Sequence, residues 1–196
     1  VSRSSGLSKW LERLAIVVVS LAIAFVAIGL LTGYFTSHDP AGVSGSLGGP
    51  GLVYRDLGNR QLTPGQHHPA YNSNPPTSGG HVPTPVRSDQ AVLTDSQILT
   101  ALAAGDIVVI YGGTHPPPGL AELARSTAGP FTPALAAEGG AVILARLPRV
   151  DGLIALAWTR MLPITGIDRV TAGNDDVLKQ FIQSWLGRGA GSRGNN

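Results

Sequence analysis

An apolar run from Leu14 to Leu31 (LAIVVVSLAIAFVAIGLL), with Ser20 its only polar side chain, most constrains what this chain can fold into. Continued through Thr32-Gly33-Tyr34-Phe35, it makes about 33 Å of helix at 1.5 Å per residue. A bilayer core needs ~20 apolar residues, so 14–35 is expected to span a membrane as one helix. Trp10 precedes the run and Tyr34 and Phe35 close it, where interfacial aromatic belts lie. Arg3, Lys9 and Arg13 stand before the span against Glu12 alone, and no Lys or Arg follows until Arg55. The positive-inside bias therefore places residues 1–13 in the cytoplasm and everything after Phe35 outside, on the extracytoplasmic face of an inner or plasma membrane.

The rival is a cleaved signal peptide, whose apolar core runs ~7–15 residues before a small-x-small site. Here the core is longer and its exit, TGYFTSHDPAG, offers no such site. An anchor is the expectation. Within it Gly29 and Gly33 form a G-x-x-x-G, and Ala22 and Val26 continue the same face. Small residues on one face let a neighbouring helix approach closely, although glycine is common in lipid-facing spans too. The lipid bilayer is one expected partner, and other membrane-protein subunits are the second.

Over the whole chain only 13% of residues are charged and the net charge is +2. The scattered arginines make no basic patch, so nucleic acid is not expected as a partner. There is no cysteine, which excludes disulfides, thiol chemistry and Cys-ligated zinc or iron–sulfur clusters. Residues 36–59 are rich in Gly, Pro and Ser and read as a tether, except that 52–57 could pair as a strand. Residues 60–187 carry the extracytoplasmic domain, and 188–196 form a polar, Gly-rich tail. The stretch 60–88 is irregular, with prolines at 64, 69, 75, 76, 83 and 85.

Regular structure is expected next. Thr94 and Gln97 make a capping box and Leu93 with Ile98 a hydrophobic staple, opening a helix over 95–104 that Gly105 ends. The β-branched run 106–111 reads as a buried strand. A short helix follows over 118–125, and Thr132-Pro133 opens another through 137. Strands are expected at 141–147 and 153–160, joined by the hairpin-length Pro148-Arg-Val-Asp-Gly152. Asn174 is expected to cap a last helix with an apolar stripe of Val177, Leu178, Phe181, Ile182 and Trp185. With 52–57 as a strand the order is β-α-β-α-β-β-α. The fold class is therefore α/β, one transmembrane helix plus a small mixed-sheet domain. Its element order resembles the thioredoxin-like fold, without a Cys-x-x-Cys.

The most distinctive segment is His67-His68-Pro-Ala-Tyr71-Asn-Ser-Asn-Pro75-Pro76-Thr77-Ser78-Gly79-Gly80-His81. With Ala157-Trp158-Thr-Arg160 and the Phe181-Ile182 helix, it resembles a bacterial family of anchored ectodomains, domain of unknown function three-one-zero-five. The resemblance covers roughly 60–187, and its signature loop is Tyr71, Pro75, Pro76, Thr77, Ser78, Gly79 and His81. The family pattern has Gly-Pro-His where this chain has Gly79-Gly80-His81. It has Glu-His-Gly before the Val-Val-Ile-x-Tyr strand where this chain has Ala103-Ala104-Gly105. The family's ligand types imply a zinc or copper site, but two candidate ligands here are alanines.

No catalytic constellation is legible. Ser78 and His81 lack an acid to orient the imidazole. Asp175 and Asp176 suit a helix N-terminus. Gly112-Gly113-Thr114-His115 lacks the lysine and the donors of a phosphate loop. No metal or cofactor is expected, and the chain reads as a non-catalytic accessory or assembly subunit of a larger membrane complex. Energy-transducing assemblies, photosynthetic or respiratory, are the class considered. The alternative is a metal-binding ectodomain using His67, His68 and His81, with His115 beyond the strand.

Overall fold

The computed structural model describes residues 43–44, 49–148, 150–165 and 172–191. The anchor read at 14–35, with Ala22, Val26, Gly29 and Gly33, lies outside them. Among the described residues no helix is long and apolar enough to cross a membrane.

The chain forms strands β1 (Val43–Ser44), β2 (Leu52–Tyr54), β3 (Ile107–Tyr111), β4 (Val142–Arg146), β5 (Leu153–Ala157) and β6 (Arg160–Ile164). Its helices are α1 (Asp95–Ala104), α2 (Leu120–Ala128), α3 (Pro133–Ala137) and α4 (Ala172–Trp185). The six strands make one mixed sheet in the order β1-β2-β6-β5-β3-β4. Only β3 and β4 are parallel; the other pairs are antiparallel. This is the α/β mixed-sheet class expected from the sequence.

Period-two alternation sorts the strand side chains cleanly between two cores. Val108 and Ile110 of β3, Ile143 and Ala145 of β4, and Leu156 of β5 pack with Ile98, Leu99 and Leu102 of α1 and Ala136 of α3. Ile107, Val109 and Tyr111, with Val142, Leu144, Leu153 and Ala155, face Leu120 and Leu123 of α2 and Leu178, Phe181 and Ile182 of α4. Strand β3 is buried along its whole length because helices cover both faces, which explains its unbroken apolar run.

Local signals place α1 as expected. Thr94 Oγ1 accepts from the Gln97 N–H at 3.3 Å while the Thr94 N–H donates to Gln97 Oε1 at 3.0 Å. Gly105 ends the helix with φ +119°. At α3, Thr132 Oγ1 accepts from the Leu135 N–H, with Pro133 in the first turn.

Three expectations are corrected. The strands at 141–147 and 153–160 are not hairpin partners, because β3 lies between β4 and β5 and the connection crosses its end. The expected strand 153–160 instead breaks after Ala157; Trp158-Thr159 turns the chain into β6, with Ala157 opposite Arg160 and Thr159 at φ +60°. Asn174 falls inside α4, which starts at Ala172.

Both flanks are also drawn onto the domain. Strands β1 and β2 fall in the stretch read as a tether; β2 pairs with β6 and β1 pairs with β2. Part of the tail folds back on the end of α1: the Gly187 N–H donates to Gly105 O at 2.9 Å and the Ala190 N–H to Ala103 O at 3.0 Å. A Cβ on Gly189 would lie 2.1 Å from Ala103 O, so the close approach requires glycine there.

Candidate functional site: the signature loop and the β5–β6 turn

The signature loop is irregular yet internal. Pro75 to Gly79 and His81 are buried, with Thr77 and Ser78 at 0% exposure. Its Asn74–Pro75 peptide is cis. Such backbone can be buried only where its polar groups find partners, and here they lie within the loop, in the segment after β2 and in the β5–β6 turn.

On one side the loop pairs with the segment leaving β2. Ser78 Oγ accepts the Leu57 N–H at 3.0 Å and reaches Arg55 O at 3.4 Å. Asn72 Nδ2 also donates to Arg55 O, at 2.8 Å. The Gly79 N–H donates to Gly58 O, the His81 N–H to Arg60 O, and the Leu62 N–H returns to His81 O. On the other side the loop holds the β5–β6 turn: the Thr159 N–H donates to Thr77 O at 2.9 Å, while Thr159 O accepts from the Tyr54 N–H at 3.0 Å. Thr159 is a β-branched residue at positive φ, an unfavourable conformation that these two bonds hold in place. Thr77 is fixed in turn, its N–H donating to Ser73 Oγ at 3.1 Å.

Aromatic groups frame the junction. The Tyr71 hydroxyl donates to Gly80 O at 3.1 Å, and its ring stacks on His68 with centroids 4.3 Å apart. Burial, and then the Asp95 charge, push the Tyr71 phenol above its ordinary pKa. Trp158 is buried and donates through Nε1 to Asp56 Oδ2 at 3.1 Å. Arg160, 7% exposed, lays its guanidinium over the Trp185 ring, 4.3 Å from the centroid. The Trp185 Nε1–H donates to Pro50 O at 2.9 Å. Thus Pro-Pro-Thr-Ser-Gly, Ala-Trp-Thr-Arg and the Phe181-Ile182 helix, far apart in sequence, gather around β2 and β6.

The histidines are placed differently from one another. His81 is buried, and its Nδ1–H donates to Gly79 O at 3.0 Å, so that nitrogen is spent within the loop. His67 and His68 are exposed, with His68 Nδ1 against Pro69 O at 2.8 Å. His115 stands apart, exposed beside Thr114, in a cleft of about 490 Å³ at the end of β3 that Tyr111, Gly112 and Asp151 also line. Among the described residues no group of three His, Asp or Glu is assembled as a metal site. Ser78 Oγ is occupied by the backbone of Arg55 and Leu57 and has no base beside it in these bonds, so it is not placed as an activated nucleophile.

Sequence reasoning missed Arg55, Leu57 and Thr159 as partners of the loop. Their contribution is mostly backbone, which leaves no side-chain signature. Sequence reasoning also missed Asp106, 1% exposed at the start of β3, whose carboxyl is pushed up to about 7 by burial despite the Ala141 N–H donated to Oδ1 at 2.8 Å.

A family model described as "Protein of unknown function (DUF3105)" matches residues 65–193. Searches of curated proteins and of solved structures each gave no match.

Proposed function

The chain belongs to the DUF3105 family of proteins of unknown function, and we propose that it is a non-catalytic accessory or assembly subunit of a larger bacterial membrane complex. In this reading residues 14–35 anchor it, and the α/β domain is presented outside the cytoplasm for contact with other subunits. The family assignment leaves the activity open, so the reading rests on this chain's own residues.

The observation that carries it is how the signature loop spends its polar groups. Thr77, Ser78, Asn72 and His81 are the types an active site would use. Here Ser78 and Asn72 bond the β2 exit, the Thr77 backbone holds the β5–β6 turn, and the His81 ring bonds Gly79 O within the loop. A loop so committed is a scaffold element, and scaffold elements rigidify the surface that a partner reads. The apolar 14–31 run and the Arg3, Lys9 and Arg13 bias support the anchored, outward-facing orientation. The thioredoxin-like arrangement belongs to the same proposal. It is supported by the β6-β5-β3-β4 order, with one parallel pair and a terminal helix. The direct β4–β5 connection and the lack of cysteine depart from it. Purification of the full chain from its native membrane tests the function: stoichiometric membrane-protein partners are expected, and recovery of the chain alone under mild detergent rejects the role.

A further inference from the structure

Strand β4 ends the sheet on one side, and its outward backbone groups are covered by irregular chain. The Ile107 N–H donates to Ala141 O and the Leu147 N–H to Tyr111 O, so the odd-numbered residues of 141–147 bond toward β3. The backbone groups of Leu144 and Arg146 therefore face outward. There the Leu144 N–H donates to Asp89 Oδ1 at 2.8 Å, the Gln90 N–H to Leu144 O at 2.9 Å, and the Arg146 N–H to Ala91 O at 2.9 Å. A bare sheet edge is a template for pairing with another chain, and a covering loop prevents it.

This cover is lightly built. It runs between two buried anchors, Val86 and Leu93, and of the six residues between them only Asp89 and Ala91 are half-buried. Val92 is 58% exposed. Gln90 sits at φ +59°, a left-handed conformation that a residue with a Cβ adopts at a cost. The acceptor for the Leu144 N–H is a side chain instead of backbone. Burial pushes that carboxyl above its ordinary pKa, so keeping it against β4 carries a cost as well. Strained backbone persists only where its surroundings impose it. Strands β3 and β4, in contrast, are packed between two apolar cores. A segment with few apolar contacts and two local costs opens ahead of the sheet it covers.

We propose that residues 87–92 form a strap that opens as one unit from the edge of β4 while the sheet stays folded, hinged at Val86 and Leu93. Opening bares the Leu144 carbonyl and the Leu144 and Arg146 amides, so the strap governs access to this edge. It is separate from the signature loop, and its opening does not depend on the assembly role.

Amide hydrogen exchange of the full chain in detergent, read by NMR, tests the strap with a control built into the same strand. After correction for intrinsic rates, the Leu144 and Arg146 amides are expected to exchange alike, and roughly tenfold or more faster than the Ala145 amide between them, which faces β3. Asp89→Ala removes the Leu144 bond and leaves Ala91 O in place, yet it should quicken Arg146 exchange by roughly tenfold, because the strap opens whole. Gln90→Gly relieves the left-handed residue and should slow both amides by roughly threefold or more. The wild-type contrast and Gln90→Gly decide the matter even if Asp89→Ala fails to fold. Leu144 and Arg146 exchanging no faster than Ala145, Arg146 indifferent to Asp89→Ala, or both amides indifferent to Gln90→Gly would each overturn the proposal and make 87–92 a fixed part of the sheet.

Discussion

Replacing Ser78 by Ala tests the scaffold reading of the signature loop at one atom. Ser78 is fully buried, and its Oγ accepts the Leu57 N–H at 3.0 Å while touching Arg55 O at 3.4 Å. The two bonds do not weigh equally. Arg55 O keeps Asn72 Nδ2 at 2.8 Å when the hydroxyl goes, so it stays satisfied. The Leu57 N–H, in a part-buried bond, has no such reserve in the loop junction, and a donor left unmatched away from water costs about 1–3 kcal/mol. The methyl that remains keeps most of the packing volume, so no cavity term is added. An effect of about 2 kcal/mol follows, equivalent to roughly 4–8 °C in melting temperature for a domain of this size. Urea unfolding of the wild type and variant, followed by circular dichroism, measures it. A change below about 0.5 kcal/mol would mean that the hydroxyl does not hold the loop, and that Ser78 must be explained by something it does to another molecule.

A Cβ at Gly112 would stand 1.9 Å from the carbonyl oxygen of Val150, a backbone atom. Gly112→Ala should therefore cost at least about 1–3 kcal/mol as the 150–152 segment is pushed away, and an unchanged melting temperature would contradict the close crossing of the β4–β5 connection over β3. Asp106 has a folded-state pKa of about 7 against an ordinary value of 3.8. The unfolded chain gives up that proton first, so the group's contribution is fully present below about pH 4 and is lost as pH rises to about 7. The stability difference between wild type and Asp106→Asn should fall by up to about 4 kcal/mol across that window, and a flat difference would show that the carboxyl is not desolvated. A C-terminal reporter active only in the cytoplasm should stay silent, and activity would reverse the orientation taken from Arg3, Lys9 and Arg13.

Local chemistry was legible in the sequence where one residue type forces one geometry. The Thr94–Gln97 box, Gly105, the Thr132-Pro133 start and the β-branched strand ending at Tyr111 all stand where their residues place them. Pairing was not legible, because partners across a sheet leave no mark at short range. The six residues 147–152 are long enough for a hairpin and equally able to step over a neighbouring strand. The real hairpin turned on Trp158-Thr159, residues with no turn preference, whose geometry is imposed by Thr77 and Tyr54. The partners of the signature loop at 55–60 act through backbone atoms and carry no signature of their own. The glycines at 187 and 189 read as a flexible tail, whereas here they permit close approach to the end of α1.

The claim on which the account rests is that the chain works by joining other membrane subunits. Ala22, Val26, Gly29 and Gly33 would lie along one face of the expected anchor helix. Gly29→Leu with Gly33→Leu keeps the segment apolar enough to insert and places bulk where a neighbouring backbone would pack. Native co-purification of this double variant and the wild type, at equal expression, is the most direct measurement. The account predicts that the variant stays in the membrane and loses its partners. Equal recovery of the same partners would make the helix a plain tether, and a wild type that brings no partner with it would contradict the assembly role itself.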